Sequence, residues 1–322
     1  MKRKRMVIYD QEADYTSRFA EYASHRREPF FSVHGFTDCD KLCKFVQENP
    51  VDVLLIPPDY LQDVTEKGDF GQVILLSDNE YLSGETEYPA VYKFQSCEKI
   101  LRKVLDVYAE QAPALMGKAL RLEHMRLIGV YSPIGRTGKT SFALALGKEL
   151  AKQKKTLYLN MEEYSGFPVL YPNGDGWTLS ELLYFLKQGK QTFACKLEGM
   201  IRQMGSLDYI PPLKSSIELH QVTLEDWECL LETLGRETNY EFVILDLDGV
   251  VNGLFELMDR CEKIYMPVSE DETAQAKLLQ YEEILTLLDL EELKKKTIKI
   301  QLFRGQNLET IARTEGRAWG EE

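Results

Sequence analysis

The chain has 322 residues, 44% of them hydrophobic and 28% charged, with a formal net charge of −13 at pH 7. That length suggests two domains, and the apolar content supplies a core for each. The acidic balance argues against broad nonspecific binding to nucleic acid, and no apolar run approaches the ~20 residues that a membrane-spanning helix needs.

From the N-terminus the predicted elements alternate. The basic start, Met1 to Arg5, lacks the apolar centre of a signal peptide and runs into a strand over 5–9 that ends at Asp10. Residues 13–26 have helical spacing, with Tyr15, Phe19, and Tyr22 or Ala23 on one face. A strand over 30–34 and a helix over 38–47 follow, the helix apolar at Leu42, Phe45 and Val46. The strand over 51–56 is apolar enough to lie centrally in a parallel sheet. Strands over 72–76 and 90–93 and a helix over 97–108 complete this third. Such alternation predicts a doubly wound, flavodoxin-like α/β domain. The six cysteines are scattered without a Cys-x-x-Cys, although Cys39 and Cys43 share a helical face. They read as reduced thiols of a cytosolic protein.

The pattern resembles a response-regulator receiver domain over residues 4–109. Asp10 falls where receivers carry acidic metal ligands, with Gln11 beside it in place of a second Asp, and then Glu12. Ser77 fits the hydroxyl residue ending the fourth strand, and Lys93 the lysine ending the fifth. The phosphoacceptor position is Pro57, which has no nucleophile, whereas an acyl phosphate needs a carboxylate. Asp59 lies two residues further on, past the strand end. The resemblance implies an unphosphorylated pseudo-receiver used for docking. The alternative is a flavodoxin-like domain with no regulatory descent.

Residues 113–124 mix Pro, Gly and small side chains, and Pro113 breaks the preceding helix. They read as a linker between a 1–112 domain and a 125–322 domain, with a short helical approach over 119–125. A strand over 127–130 then enters Tyr131-Ser-Pro-Ile-Gly-Arg-Thr-Gly-Lys-Thr-Ser141, and a helix-like run over 142–150 follows. Strand, glycine loop, Gly-Lys-Thr and helix are the context of a phosphate-binding loop. Gly135 and Gly138 let backbone N–H groups close around a phosphate without a Cβ in the way. Arg136, Thr137 and Ser141 complete the cradle. Lys139 brings charge to the β and γ oxygens, and Thr140 offers a hydroxyl to Mg²⁺. The helix N-terminus adds its own positive end. The first Gly of the motif is replaced by Pro133. The competing reading is an ordinary glycine-rich turn.

Downstream, a strand over 154–160 precedes helices over 179–187, with N-cap chemistry at Thr178, and over 193–204. A short strand over 207–210 leads to a helix from Thr223 to Leu234, with Trp227, Leu230, Leu231 and Leu234 as its core stripe. The apolar strand over 242–245 delivers Asp246, as a P-loop enzyme requires for holding Mg²⁺. Asp248 reads as a cap or turn residue. A strand over 264–268, a helix over 273–287 and a strand over 297–303 lead to a polar tail that frays over 320–322. The expected fold class is α/β, with two doubly wound domains: receiver-like, then P-loop NTPase.

With both motifs placed, residues 125–305 resemble the MinD/ParA group of P-loop ATPases. Gly135, Gly138, Lys139 and Thr140 match the group's Lys-Gly-Gly-x-Gly-Lys-Thr. Arg136 stands at its second Gly, and Ile134 at the lysine that reaches across a nucleotide-sandwich dimer. Asn160 and Glu162 stand at two Asp positions of the group, and Asp246 at its Mg²⁺-linked Asp. The resemblance implies ATP and Mg²⁺ as cofactors. It implies Lys139, Glu162 and Asp246 as catalytic candidates, Thr140 and Asp246 toward the metal, and a nucleotide-dependent homodimer. The altered positions imply weak hydrolysis at most.

A receiver-like domain ahead of such an ATPase is the arrangement of the CpaE/TadZ proteins, which help place Flp-type (Tad) pilus machinery at a cell pole. That implies a cytoplasmic localisation factor recruited to a pole or membrane complex by protein partners. A non-catalytic nucleotide-binding scaffold and a ParA-like partitioning ATPase are the alternatives. The net charge of −13 and the lack of a basic cluster near the C-terminus weigh against partitioning and direct nucleic-acid binding. Residues 307–322 carry only Leu308, Ile311 and Trp319 as large apolar residues, so direct membrane insertion is not expected.

Overall fold

The computed structural model describes residues 4–24, 30–66, 68–78, 88–111, 125–171, 176–188, 193–302 and 308–321. The chain packs as two compact units, 1–116 with 190–199, and 117–189 with 200–322. The linker expected over 113–124 lies outside the described residues.

The first unit runs β1 (Lys4–Tyr9), α1 (Ala13–Ser24), β2 (Phe31–Phe36), α2 (Cys39–Glu48) and β3 (Val51–Ile56). A 3-10 turn (Pro58–Tyr60), α3 (Leu61–Thr65), β4 (Phe70–Ser77), β5 (Ala90–Tyr92) and α4 (Cys97–Gln111) follow. The strands are all parallel in the order β2-β1-β3-β4-β5, the flavodoxin-like order with its crevice at β1 and β3. On α1, Phe19 and Ala23 are buried, and Tyr22 faces solvent. Asp38 caps α2 by accepting the Lys41 N–H at 3.1 Å, which frees Leu42 and Val46 to pack on Val7, Leu54 and Ile56.

The second unit begins with β6 (Arg126–Val130), α5 (Lys139–Leu150), β7 (Thr156–Met161), α6 (Phe167–Leu170) and α7 (Leu179–Lys187). The next helix, α8 (Phe193–Met200), packs with the first unit, although it lies in sequence among elements of the second. There Cys195 Sγ donates to the Leu105 carbonyl at 3.2 Å, and Lys196 Nζ donates to Asp106 Oδ1 at 2.7 Å, both lysine and carboxylate being buried. Then come β8 (Arg202–Met204), β9 (Leu207–Ile210), α9 (Ser216–Gln221), α10 (Leu224–Glu237), β10 (Phe242–Leu247) and α11 (Leu254–Arg260). The unit closes with β11 (Lys263–Val268), α12 (Glu272–Leu287), α13 (Glu291–Lys295), β12 (Thr297–Gln301) and α14 (Leu308–Glu321). The sheet order is β12-β11-β6-β10-β7-β9-β8, parallel except for the edge hairpin β8–β9. Register sets Asp246 opposite both Val130 of β6 and Asn160 of β7, so the loop after β6 opens beside the ends of β10 and β7.

Two expectations are corrected. The single helix over 193–204 is α8 followed by β8, because Gly205 takes a positive φ of 67° and turns the chain back as a hairpin onto β9. The polar tail is the helix α14, which lies on α5 with Ala312 and Trp319 in the core. Trp319 Nε1 donates to the Tyr265 hydroxyl at 2.9 Å, and Arg126 and Lys263 lie 4.3 and 4.4 Å from its ring centroid. An indole needs both an apolar wall and a partner for its N–H, and only the assembled sheet provides them. Among the described residues no helix is long and apolar enough to cross a membrane.

Trp319→Ala is expected to destabilise the chain by about 3–5 kcal/mol through the cavity it leaves. Denaturant unfolding checks this, and a change below about 1 kcal/mol contradicts the docked α14.

Candidate functional site

The helix α5 begins at Lys139, three residues earlier than the apolar run suggested, so Lys139 and Thr140 occupy its first turn. Gly138 precedes it with φ of 82°, a conformation that brings backbone N–H groups toward the loop's concave side. Ser132 anchors the other end: its hydroxyl donates to the Pro267 carbonyl of β11 at 2.7 Å and accepts the Ile134 N–H at 3.2 Å. The loop walls a cavity of about 430 Å³, lined by 131–141 together with Glu162, Asp248 and Gly249. All the loop residues expected to cradle phosphate, Gly135, Arg136, Thr137, Gly138, Lys139, Thr140 and Ser141, line it.

Arg136 has φ of 61°, in the left-handed region where a side chain is strained, and its side chain is exposed. Ile134, by contrast, is buried. Position 134 therefore points an apolar side chain inward, and Arg136 is an exposed cation on the loop.

Behind the loop, Lys139 Nζ lies 2.6 Å from Asp246 Oδ1 and 2.9 Å from Glu162 Oε1. Asp246 is fully buried, and its Oδ2 accepts from the Tyr158 hydroxyl at 2.7 Å. Asn160 Nδ2 lies 2.9 Å from that hydroxyl, 3.3 Å from Glu162 Oε2 and 3.4 Å from Asp246 Oδ2. Lysine, aspartate, tyrosine, asparagine and glutamate thus close a ring of hydrogen bonds. Burial works against the Lys139 ammonium, yet Asp246 and Glu162 outweigh it and hold its pKa above the ordinary lysine value. Burial raises the Asp246 carboxyl above the ordinary carboxylate value, and Lys139 pulls it back. Burial and the adjoining Asp246 charge push the Tyr158 hydroxyl well above the usual phenol value, so it remains a donor.

The structure thus brings Lys139, Glu162 and Asp246 together, with Thr140 on the cavity wall. Asp248 accepts the N–H of Gly249 at 2.6 Å and of Glu163 at 3.3 Å, which is the turn role expected of it, and it also lines the cavity. Sequence reasoning missed Ser132 and Tyr158. Alternation along β7 could have found the tyrosine, since 158, 160 and 162 fall on one face.

In the first unit the crevice gathers the residues read as receiver supports. Lys93 Nζ lies 2.7 Å from Asp10 Oδ2 and 3.1 Å from Glu12 Oε1, and the Lys93 N–H donates to the Ser77 carbonyl at 2.8 Å. Burial opposes the Lys93 charge, but Asp10 and Glu12 hold its pKa above the ordinary value. Pro57 follows β3 directly, and Asp59 sits exposed in the 3-10 turn beyond it. Gln11 donates to the Tyr60 hydroxyl.

A parallel sheet with a Gly-Lys-Thr loop at the N-terminus of α5, and an aspartate from the neighbouring strand beside its lysine, defines a P-loop NTPase domain. Residues 1–109 match the family model described as the TadZ-like receiver domain, so the N-terminal domain is of TadZ-like receiver type. No curated protein matches the chain. Among solved structures, the chain is similar to a Cyanothece McdA(D38A)–ATP complex, with 16% identity, 62% of this chain and 80% of that one covered, and a TM-score of 0.42. It is also similar to a plasmid partition protein from Borrelia burgdorferi, with 15% identity, 61% and 98% covered, and a TM-score of 0.44. A third is MinD from Pyrococcus horikoshii complexed with Mg-ADP, with 18% identity, 54% and 68% covered, and a TM-score of 0.38.

Incubation with acetyl phosphate and Mg²⁺ is expected to leave the intact mass unchanged, because Pro57 stands at the nucleophile position and Asp59 sits exposed in the turn beyond the strand end. A phosphoryl adduct mapped to Asp59 contradicts this.

Proposed function

We propose that the protein is an ATP-binding localisation or assembly factor of the CpaE/TadZ type, acting with Flp/Tad pilus machinery. In this reading 1–112 is a docking module, 113–124 a linker and 125–322 the nucleotide-binding module. The observation that carries it is Lys139, set in the first turn of α5 against Asp246 and lining the loop cavity, in a chain whose residues 1–109 match the TadZ-like receiver model.

The loop N–H groups and the α5 N-terminus hold phosphate oxygens, and Lys139 neutralises the β and γ groups. The donor set suits Mg²⁺: the Thr140 hydroxyl and the Asp246 carboxylate are hard oxygen ligands. Both Asp246 oxygens already accept hydrogen bonds, from Lys139 and from Tyr158, so this carboxylate acts on the metal through water. Among the described residues no group of three His, Cys, Asp or Glu gathers to cage an ion, and Mg²⁺ takes most of its ligands from water and phosphate in such sites. Bound Mg²⁺ would supply charge neutralisation at the β and γ oxygens. Glu162, a carboxylate on the cavity wall, is the candidate for orienting water, and turnover is slow or absent. The nucleotide-bound chain forms a homodimer, and Arg136, the exposed loop cation, reaches phosphate across that interface. The protein is recruited to its place by protein partners in the cytoplasm, without direct contact with nucleic acid.

Lys139→Ala is expected to weaken ATP binding at least tenfold in calorimetry, about 1.4 kcal/mol or more. Unchanged affinity with native circular dichroism contradicts the phosphate-binding assignment. Arg136→Ala is expected to lower the dimer fraction in sedimentation velocity with ATP and Mg²⁺ while leaving monomer stability nearly unchanged. Identical dimer fractions and turnover in wild type and variant remove the role given to Arg136.

A further inference from the structure

The two carboxylates that hold Lys139 are not equivalent. Asp246 has no solvent exposure, and Tyr158 holds its second oxygen at 2.7 Å, so it is fixed behind the lysine. Glu162 lies just past the end of β7, lines the cavity and is partly exposed. Apart from Lys139, its carboxylate is held by the long 3.3 Å contact from Asn160 Nδ2. Its backbone N–H donates to Asn160 Oδ1 at 3.2 Å, which fixes the chain where it leaves β7.

We propose that Glu162 is an internal anion that competes with the nucleotide's terminal phosphates for Lys139, and so sets nucleotide affinity and the selectivity for phosphate number. The proposal rests on the nucleotide-binding reading above. A P-loop lysine serves the β and γ phosphates. A phosphate oxygen approaching Lys139 through the cavity meets the Glu162 carboxylate already on the ammonium, and the two anions repel. Binding therefore exchanges the Glu162–Lys139 contact for a phosphate–Lys139 contact. The Glu162 carboxylate swings toward solvent, and Asp246 keeps its hold. Glutamate reaches the lysine from a position where an aspartate would be one methylene shorter.

The test is calorimetric titration of the full chain with ATP, ADP and AMP in Mg²⁺, comparing wild type with Glu162→Gln and Glu162→Ala. Circular dichroism and melting of each variant are recorded first. Both variants are expected to bind ATP and ADP about 5–30-fold tighter, the factor that one or two kcal/mol represents, with AMP affinity unchanged. Unchanged or weaker binding of ATP and ADP by folded variants overturns the proposal. So does equal tightening of all three nucleotides, which would mark a general charge effect. Variants that fail to fold assign Glu162 to structure and overturn it too. Absence of nucleotide binding in wild type and variants alike instead removes the nucleotide-binding reading on which the proposal stands.

Discussion

An ammonium and a carboxylate with no solvent exposure meet at 2.6 Å between the first turn of α5 and the end of β10. Taking both charges out of water costs several kcal/mol per ion, and Coulomb attraction returns that only when the remaining hydrogen-bonding capacity is met. The Tyr158 hydroxyl, the Asn160 amide and the Glu162 carboxylate supply that capacity. Three parallel strands must be in register for this to happen: β6 to launch the loop, β10 to deliver Asp246, and β7 to deliver the tyrosine and asparagine. The ring is therefore a condition on the sheet as well as a feature of the site.

The two units place their polar clusters by the same rule. In each, parallel strands end at a crevice where side chains from separate strands converge. In each, a lysine is held by two carboxylates: Lys93 by Asp10 and Glu12, Lys139 by Asp246 and Glu162. The difference is what stands beside the lysine. The P-loop domain sets it in a cavity walled by loop backbone and a helix N-terminus. The receiver-like crevice has Pro57 at the position that would carry phosphate, and a proline can neither attack nor donate a backbone hydrogen bond. Similar pairs thus stand beside an open loop cavity in one unit and beside a proline in the other.

Arg136 shows how a loop can carry a cost for a charge. Glycine adopts a positive φ freely, whereas any side chain there is strained by about 1–2 kcal/mol. The loop holds Arg136 at φ of 61° and keeps Ile134, two positions earlier, in the core. The strained position is thus the one that puts a cation on the rim of the cavity, while the apolar Ile134 stays inside.

Local chemistry made much of this legible in the sequence. Alternation and strand length marked the two doubly wound folds, the Thr223 cap and the Trp227–Leu234 stripe marked α10, and the spacing of Gly138, Lys139 and Thr140 after an apolar strand marked the loop. These signals span a few residues, so the chain order alone carries them. What remained hidden was decided by contacts distant in sequence. Trp319 turns an apparently polar tail into a core helix because Tyr265 and α5 receive it. The residues of α8 read as helix, but nothing local tells that Lys196 meets Asp106, ninety positions away, in the first unit. Tyr158 lies within the strand expected over 154–160, and only the register of β7 against β10 sets its hydroxyl on Asp246. A side chain's burial and partner are properties of the assembled sheet, and there the tertiary structure decided what the sequence left open.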